Sequence, residues 1–319
     1  MEFILDKGTH QFSLIEGLLQ MEKFIGNTPL YPLNRVFHKQ GVKIFAKLEW
    51  QQFGSSVKSR TAYHIIKKAI FAGELNRERT LLDASSGNTG IAYASICCLL
   101  GISVTICIPE NASVERIRKL KSLGVEVLLT SELEATDGAQ NRAKELHQAH
   151  PEKYFYADQY TNENNWKAHY KTTGPEIVEQ LEEEHITHFV AGLGTSGTIR
   201  GVGKFLKEQY TNISLVALQP ETPIHAIEGW KHMESALVPK IYDPKQADYT
   251  VEVTTEQSYD LLKQVAQKEG LLIGPSAAAN LVGAINVAKN INEGVIVTVF
   301  PDNADKYSEV FEHVFNYSR

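Results

Sequence analysis

The chain has 319 residues, enough for roughly two domains. Its 43% apolar and 22% charged residues are ordinary for a globular protein, and 22 glycines with 11 prolines exclude collagen-like and low-complexity chains. A net charge of −6 without a long basic run argues against a nucleic-acid protein, whose affinity rests on clustered lysine and arginine.

At the N-terminus the apolar run Phe3-Ile4-Leu5 is too short and its flanks too acidic for a secretory signal. The segment 43–49 reads as a strand and 60–72 as a helix. Between them lies Gln51-Gln52-Phe53-Gly54-Ser55-Ser56-Val57-Lys58-Ser59-Arg60, which puts Lys58 at the helix start. The positive helix end and burial both disfavour a charged amine there, and such a lysine can form a Schiff base. A solvated lysine is the plain alternative. Ser55-x-x-Lys58 also matches a motif of penicillin-recognising enzymes, but neither Lys-Thr-Gly nor Ser-Asp-Asn follows.

Strand 80–84 leads into Ser85-Ser86-Gly87-Asn88-Thr89-Gly90 and then helix 89–100. Small hydroxyl residues and glycines at a helix start suit an anion site; capping of the helix is the alternative. The uncharged run Ile91–Ile108 is long enough to raise a membrane span. Gly101 splits it, and a helix followed by a buried strand over 102–108 explains it better. The three cysteines, Cys97, Cys98 and Cys107, have no metal spacing and read as buried free thiols of a reducing compartment.

Helix 114–123, strand 125–130 and helix 137–150 follow, then helix 176–184 with Glu182–Glu184 on a solvated face. His147 and His150 beside Glu145, and His185 with His188, read as solvated or flanking residues rather than a metal site. Strand 187–191 opens into Gly192-Leu193-Gly194-Thr195-Ser196-Gly197-Thr198 and helix 198–209. This fits the dinucleotide G-x-G-x-x-G, with Glu221 as an acidic residue beyond the next strand, 213–218, so a nicotinamide dehydrogenase is a rival. Three hydroxyls in the loop suit a terminal phosphate monoester better. The stretch 221–248 is the least periodic, and helices 256–269 and 277–290 and strand 295–300 close the chain.

Apolar strands alternating with helices give an α/β protein with mostly parallel sheet, whose ligands bind at the carboxyl ends of strands. A phosphate loop, an anion turn and a Schiff-base lysine at three such ends suggest one cofactor, pyridoxal 5′-phosphate, which carries both an aldehyde and a phosphate.

With these motifs the sequence resembles the pyridoxal-phosphate-dependent cysteine synthases, or O-acetylserine sulfhydrylases, of the tryptophan-synthase-β-like class. The resemblance runs from Ile25-Gly26-Asn27-Thr28-Pro29-Leu30 through Ser56-Val57-Lys58, Ser86-Gly87-Asn88-Thr89-Gly90, Thr172–Ile177, Gly194–Thr198 and Gly270–Ser276 to Pro301–Tyr307. Leu218–Glu221 and Asp158-Gln159-Tyr160 look more like the B-type enzymes than the A-type.

The resemblance implies a two-domain type II fold, with a smaller domain over 42–156 and a larger one combining 1–41 with 157–319. It implies that Lys58 carries the Schiff base and shuttles the α-proton. Gly194, Thr195, Ser196, Gly197 and Thr198 would bind the cofactor phosphate, Asn88 the ring hydroxyl and Ser276 the ring nitrogen. Ser85, Ser86, Asn88, Thr89 and Gln159 would hold the substrate carboxylate. The implied reaction makes L-cysteine and acetate from O-acetyl-L-serine and sulfide, in a cytoplasmic homodimer without nucleic-acid or membrane partners. A complex with serine acetyltransferase, known for A-type relatives, stays open. Other nucleophiles (homocysteine, cysteine, thiosulfate), an O-phosphoserine substrate, or a catalytically silent cofactor-binding module are the alternatives.

The departures bear on the substrate. Gln52-Phe53-Gly54-Ser55-Ser56 replaces the family's Asn-Pro-Gly-Gly-Ser, Ser59 replaces an aspartate, and Gly274-Pro275-Ser276-Ala277 replaces Gly-Ile-Ser-Ser. The loop 222–243 has no arginine for a β-phosphate, though Lys231, His225 and His232 could serve.

Overall fold

The computed structural model describes residues 13–85 and 87–315. The N-terminal run and Ser86 lie outside them.

In chain order the elements are α1 (Leu14–Glu22), β1 (Leu30–Pro32), β2 (Val42–Leu48), α2 (Lys58–Phe71), β3 (Thr80–Ala84), α3 (Asn88–Leu100), β4 (Val104–Pro109), α4 (Val114–Ser122) and β5 (Glu126–Thr130). There follow α5 (Ala135–Ala149), β6 (Tyr154–Tyr156), α6 (Asn164–Lys171), α7 (Thr173–Gln180), β7 (Ile186–Gly192), α8 (Gly197–Gln209) and β8 (Ser214–Pro220). The chain ends with β9 (Tyr249–Val253), α9 (Thr255–Glu269), α10 (Pro275–Asn290), β10 (Gly294–Phe300) and α11 (Ser308–Phe315).

Two sheets form. One runs β1-β2-β10-β7-β8-β9, parallel except for the antiparallel edge pair β1 and β2; the other is the parallel set β5-β4-β3-β6. Both faces of the larger sheet are covered. Val190, Val216, Leu218 and Ile296 meet α9 and α10 on one side, and their neighbours Phe189, Leu215, Ala217 and Val297 meet α7 and α8 on the other. Alternate residues thus enter different cores, which is why these strands read as unbroken apolar runs. The smaller sheet does the same, with Leu81, Val104 and Ile106 against α2 and α3, and Leu82, Ala84 and Cys107 against α5.

The sheets do not divide at residue 42. Strand β2, inside the segment expected as the smaller domain, pairs with β10 along its whole length. Conversely α1, expected with the larger part, buries Leu18 and Met21 among α2 and α3. Its capping box, Ser13 with Glu16, starts it cleanly.

Three local readings change. Glu182–Glu184 lie in a turn, because α7 begins early, at Thr173, and ends at Gln180. Pro175 sits in its first turn, where a missing N–H is harmless. Ile102 precedes β4 and closes off α3 instead of opening the strand: Gly101 caps the helix with a left-handed φ of 68° and the Ile102 N–H reaches back to the Cys97 carbonyl. Cys98 is exposed on α3, while Cys97 and Cys107 are buried. Among the described residues no helix is long and apolar enough to cross a membrane.

Candidate active site

The carboxyl ends of β2, β3, β7 and β10 converge on two adjoining pockets. Lys58, Asn88, Gly194, Thr195, Glu228, Gly229 and Trp230 line both. The first, about 660 Å³, is walled further by Ser85, Gly87, Thr89, Arg116, Gln159, Tyr160, Lys231 and Tyr307. The second, about 560 Å³, is walled by Ser196, Gly197, Thr198, Ser276 and Asn280. Lys58 therefore stands at the seam, with the Gly194–Thr198 loop on one side and the Ser85–Thr89 turn on the other.

Lys58 is the first residue of α2 and only partly covered in area. Burial pushes its amine down to about 8, against the opposing attraction of Asp302. The turn before it is braced: Gly54 and Ser55 take left-handed φ values of 82° and 52°, and Lys306 Nζ donates to the Ser55 carbonyl at 2.8 Å. A Cβ at Gly54 would lie 2.7 Å from Ser59 Oγ, so the serine that replaces the family's aspartate packs directly under this turn.

The loop after β7 is built by close backbone approach. A Cβ at Gly194 would lie 2.2 Å from the Gly229 carbonyl, and one at Gly197 would lie 2.0 Å from Asn165 Oδ1. Asn165 is itself held by Thr61, donates to Thr195 Oγ1 at 3.1 Å, and is fully buried. Ser196 takes a left-handed φ of 70°, uncommon for a residue with a side chain, and its buried hydroxyl has no hydrogen-bond partner. Thr198, in the first turn of α8, is within 3.4 Å of His169 Nε2. Hydroxyls and small residues at a helix N-terminus, one of them buried and unsatisfied, are the donor set that a phosphate monoester requires. With an amine at the pocket seam, these residues fit pyridoxal phosphate. Ser276, at the second position of α10, presents a neutral hydroxyl to the same pocket.

On the other side, Ser85 Oγ accepts the N–H groups of Gly87 and Gly90 at 3.1 and 3.0 Å, shaping the turn. Thr89 Oγ1 donates to Gln159 Oε1 at 2.8 Å, and Gln159 Nε2 donates to the Ala84 carbonyl at 2.8 Å. Beneath them lies Asp83, fully buried, whose oxygens accept the Ala84 and Gln159 N–H groups. Burial pushes its carboxyl up to about 8.

The structure brings Lys58, Ser85, Asn88, Thr89, Gln159, Gly194–Thr198 and Ser276 together; Ser86 lies outside the described residues. Glu221 is exposed and lines neither pocket. The loop 222–243 closes the mouth instead: Glu228 pairs with Arg116 of α4, and Lys231 pairs with Asp137 of α5 at 3.1 Å. Arg116, Glu228 and Tyr307 are pocket residues that sequence reading missed; it also missed Asp302, which lines neither pocket but accepts from the pocket residues Asn88, through Nδ2 at 2.8 Å, and Tyr307, through Oη at 2.7 Å. Among the described residues no group of His, Cys, Asp and Glu is arranged to hold a metal ion.

Comparison with known proteins points to one family. Residues 21–302 match the family model described as pyridoxal-phosphate dependent enzyme. A cysteine synthase of Aquifex aeolicus is 44% identical over 292 residues, covering 89% of each chain. Cysteine synthase B of Escherichia coli K12 is 36% identical, covering 90% of this chain and 93% of that one. The crystal structure of a hydrogen sulfide-producing enzyme from Fusobacterium nucleatum superposes with a TM-score of 0.84 at 32% identity, covering 89% of this chain and 98% of the other. The family model spans most of the chain and the likeness to cysteine synthases runs along nearly all of it: this protein belongs to the pyridoxal-phosphate dependent enzyme family and, within it, to the cysteine synthases.

Proposed function

We propose that the protein forms L-cysteine and acetate from O-acetyl-L-serine and sulfide, with Lys58 as the proton-transfer residue. The observation that carries this is the place of Lys58, between a pocket suited to phosphate and one suited to a carboxylate. Bound pyridoxal phosphate supplies an aldehyde for the substrate amine and a ring that accepts electrons from Cα. Lys58 takes the α-proton and returns it; an amine held near 8 is partly uncharged at neutral pH and still basic enough to capture a proton. The Gly194–Thr198 loop anchors the phosphate, and Asn88 orients the ring. Ser276 would give the ring nitrogen a neutral hydroxyl partner in place of a carboxylate. Ser85, Thr89 and Gln159 hold the substrate carboxylate.

Arg116, Glu228 and Lys231 in the substrate half favour one second reading, in which an amino-acid thiol or a β-phosphate occupies the charged mouth. Ile15, Leu19 and Leu99, exposed apolar residues on the packed α1 and α3, support a homodimer, which sedimentation would test; a cytoplasmic setting accompanies this reading. The test of function is product analysis with O-acetyl-L-serine and competing nucleophiles. Cysteine and acetate in equal amounts from sulfide are expected. No cysteine from sulfide, alongside rapid reaction with another nucleophile, overturns the first reading.

A further inference from the structure

Asn165, the second residue of α6, is fully buried and lines neither pocket. Its Nδ2 donates to the Gln159 carbonyl at 2.7 Å and to Thr195 Oγ1 at 3.1 Å, and its Oδ1 accepts from Thr61 Oγ1 at 3.0 Å. Thr61 lies on α2, one turn beyond Lys58. One amide thus touches the helix that carries Lys58, the segment that carries Gln159 and the loop after β7. A backbone carbonyl can only accept, so Gln159 fixes which end of the amide is nitrogen. Glycine at 197 leaves the room that Oδ1 needs, since a Cβ there would lie 2.0 Å from it. Thr195 is buried yet lines both pockets, and its oxygen also accepts the Gly197 N–H at 3.4 Å. A threonine hydroxyl has two lone pairs and one proton. With both lone pairs engaged, the proton is what remains for a ligand.

We propose that Asn165 is a positioning residue for the cofactor: by donating to the Thr195 oxygen from an amide locked by Gln159 and Thr61, it turns the Thr195 proton toward the pockets as a donor to the phosphate. A hydroxyl free to rotate offers a ligand either its proton or a lone pair, and a lone pair repels an anion. Asn165 removes that choice before the anion arrives. The assignment rests on Gly194–Thr198 being the phosphate loop.

The test is a double-variant cycle on the full chain stripped of cofactor, read as pyridoxal phosphate affinity. Thr195→Val removes the hydroxyl at nearly constant volume and should weaken binding about tenfold; Thr195→Ser keeps the hydroxyl and should bind within about twofold of wild type. Asn165→Asp keeps the shape, but the oxygen that replaces Nδ2 cannot donate to both Gln159 and Thr195, because a carboxyl group carries at most one proton. The Thr195 proton then turns to that oxygen and away from the pockets. Thr195→Val should therefore cost less than about twofold in the Asn165→Asp background. A merely structural Asn165 leaves the cost of Thr195→Val the same in both backgrounds, and that result overturns the proposal while the phosphate-loop reading stands. Should Asn165→Asp fail to fold, Asn165→Ser, too short to reach Thr195, takes its place in the cycle, and an unchanged cost of Thr195→Val overturns the proposal there too. A loss in Thr195→Ser as large as in Thr195→Val also overturns it. Unchanged affinity in Thr195→Val, with Asn165 intact, overturns the phosphate-loop reading and the proposal with it.

Discussion

Arg60 grips Glu49 at two points, Nε to Oε2 at 2.7 Å and Nη2 to Oε1 at 2.8 Å, with both side chains shut off from solvent. Arg60 also forks onto Glu176 of α7 at 2.6 and 2.7 Å, and Lys47 reaches the same carboxylate at 2.8 Å. Two cations and two carboxylates therefore balance inside the protein. Burial works against ionisation of Glu176, yet Arg60 holds its carboxyl down to about 2. Because Arg60 lies two residues beyond Lys58, the cluster pins the start of α2 to the end of β2. Removing one partner strands a buried charge, so Arg60→Met should cost about 3–5 kcal/mol and lower Tm by about 10 °C. The double variant Arg60→Met/Glu49→Leu should recover part of that loss, and calorimetry of the three proteins checks it. Equal Tm for Arg60→Met and wild type would show that the cluster does not hold the helix.

Asp83 carries a pH signature of the opposite kind. Its folded-state proton affinity is raised to about 8 from an ordinary carboxylate's value near 3.8. Folded protein therefore binds more protons than unfolded protein between those limits. The residue's contribution to stability is fully present below pH 3.8 and is lost as pH rises through 8. Asp83→Asn stays neutral throughout. It forfeits one good hydrogen-bond geometry, about 1 kcal/mol, but avoids the cost of a bare buried carboxylate. Its Tm relative to wild type should rise steadily from pH 5 to pH 8.5. A difference that stays flat across this range contradicts the account.

The sequence made the centre of the site legible because three of its parts are local. An apolar strand, a turn of small hydroxyl residues and a helix start follow one another directly at Lys58, at Ser85–Thr89 and at Gly194–Thr198. The edges were not legible. Strands β1 and β6 have three residues each, and β9 exposes Tyr249, Thr250 and Glu252 without regular alternation, so pairing with a neighbour defines them more than their own pattern does. Arg116 reads as one charge on an amphipathic helix. It becomes a pocket residue only because Glu228, more than a hundred positions later, comes down on it. Asp302 likewise acquires its place from Asn88, across 214 positions.

Gly194 offers a test of the phosphate loop that leaves every hydroxyl intact. Its backbone is not left-handed, so an added methyl group brings no torsional strain of that kind. The obstacle is space: the new carbon would sit 2.2 Å from the Gly229 carbonyl, which is backbone and cannot rotate aside. Either the loop or the 228–230 segment must shift, and both line the pocket. Gly194→Ala should weaken pyridoxal phosphate binding at least about tenfold, a loss of about 1.4 kcal/mol. Titration of the cofactor absorbance gives the value directly. Unchanged affinity would place the phosphate elsewhere.

Thr89 separates substrate binding from proton transfer. Its hydroxyl donates to Gln159, and Gln159 in turn holds the Ala84 carbonyl at the root of the turn. Thr89→Val preserves the volume and branching but leaves Gln159 Oε1 without its donor in a buried setting. An acceptor stranded in this way costs about 1–3 kcal/mol, equivalent to roughly fivefold to a hundredfold. The Gln159 side chain would turn to find another partner, and the turn proposed to receive the substrate carboxylate would loosen. Lys58 sits on a different element, α2, so the proton transfer should proceed once substrate is bound. The expected result is a KM for O-acetyl-L-serine about tenfold higher with kcat within about threefold of wild type. The same variant should bind pyridoxal phosphate normally, because Thr89 lines the substrate pocket and not the phosphate pocket. If kcat collapses while KM holds, the Ser85–Thr89 turn acts on the chemical step and not on the carboxylate.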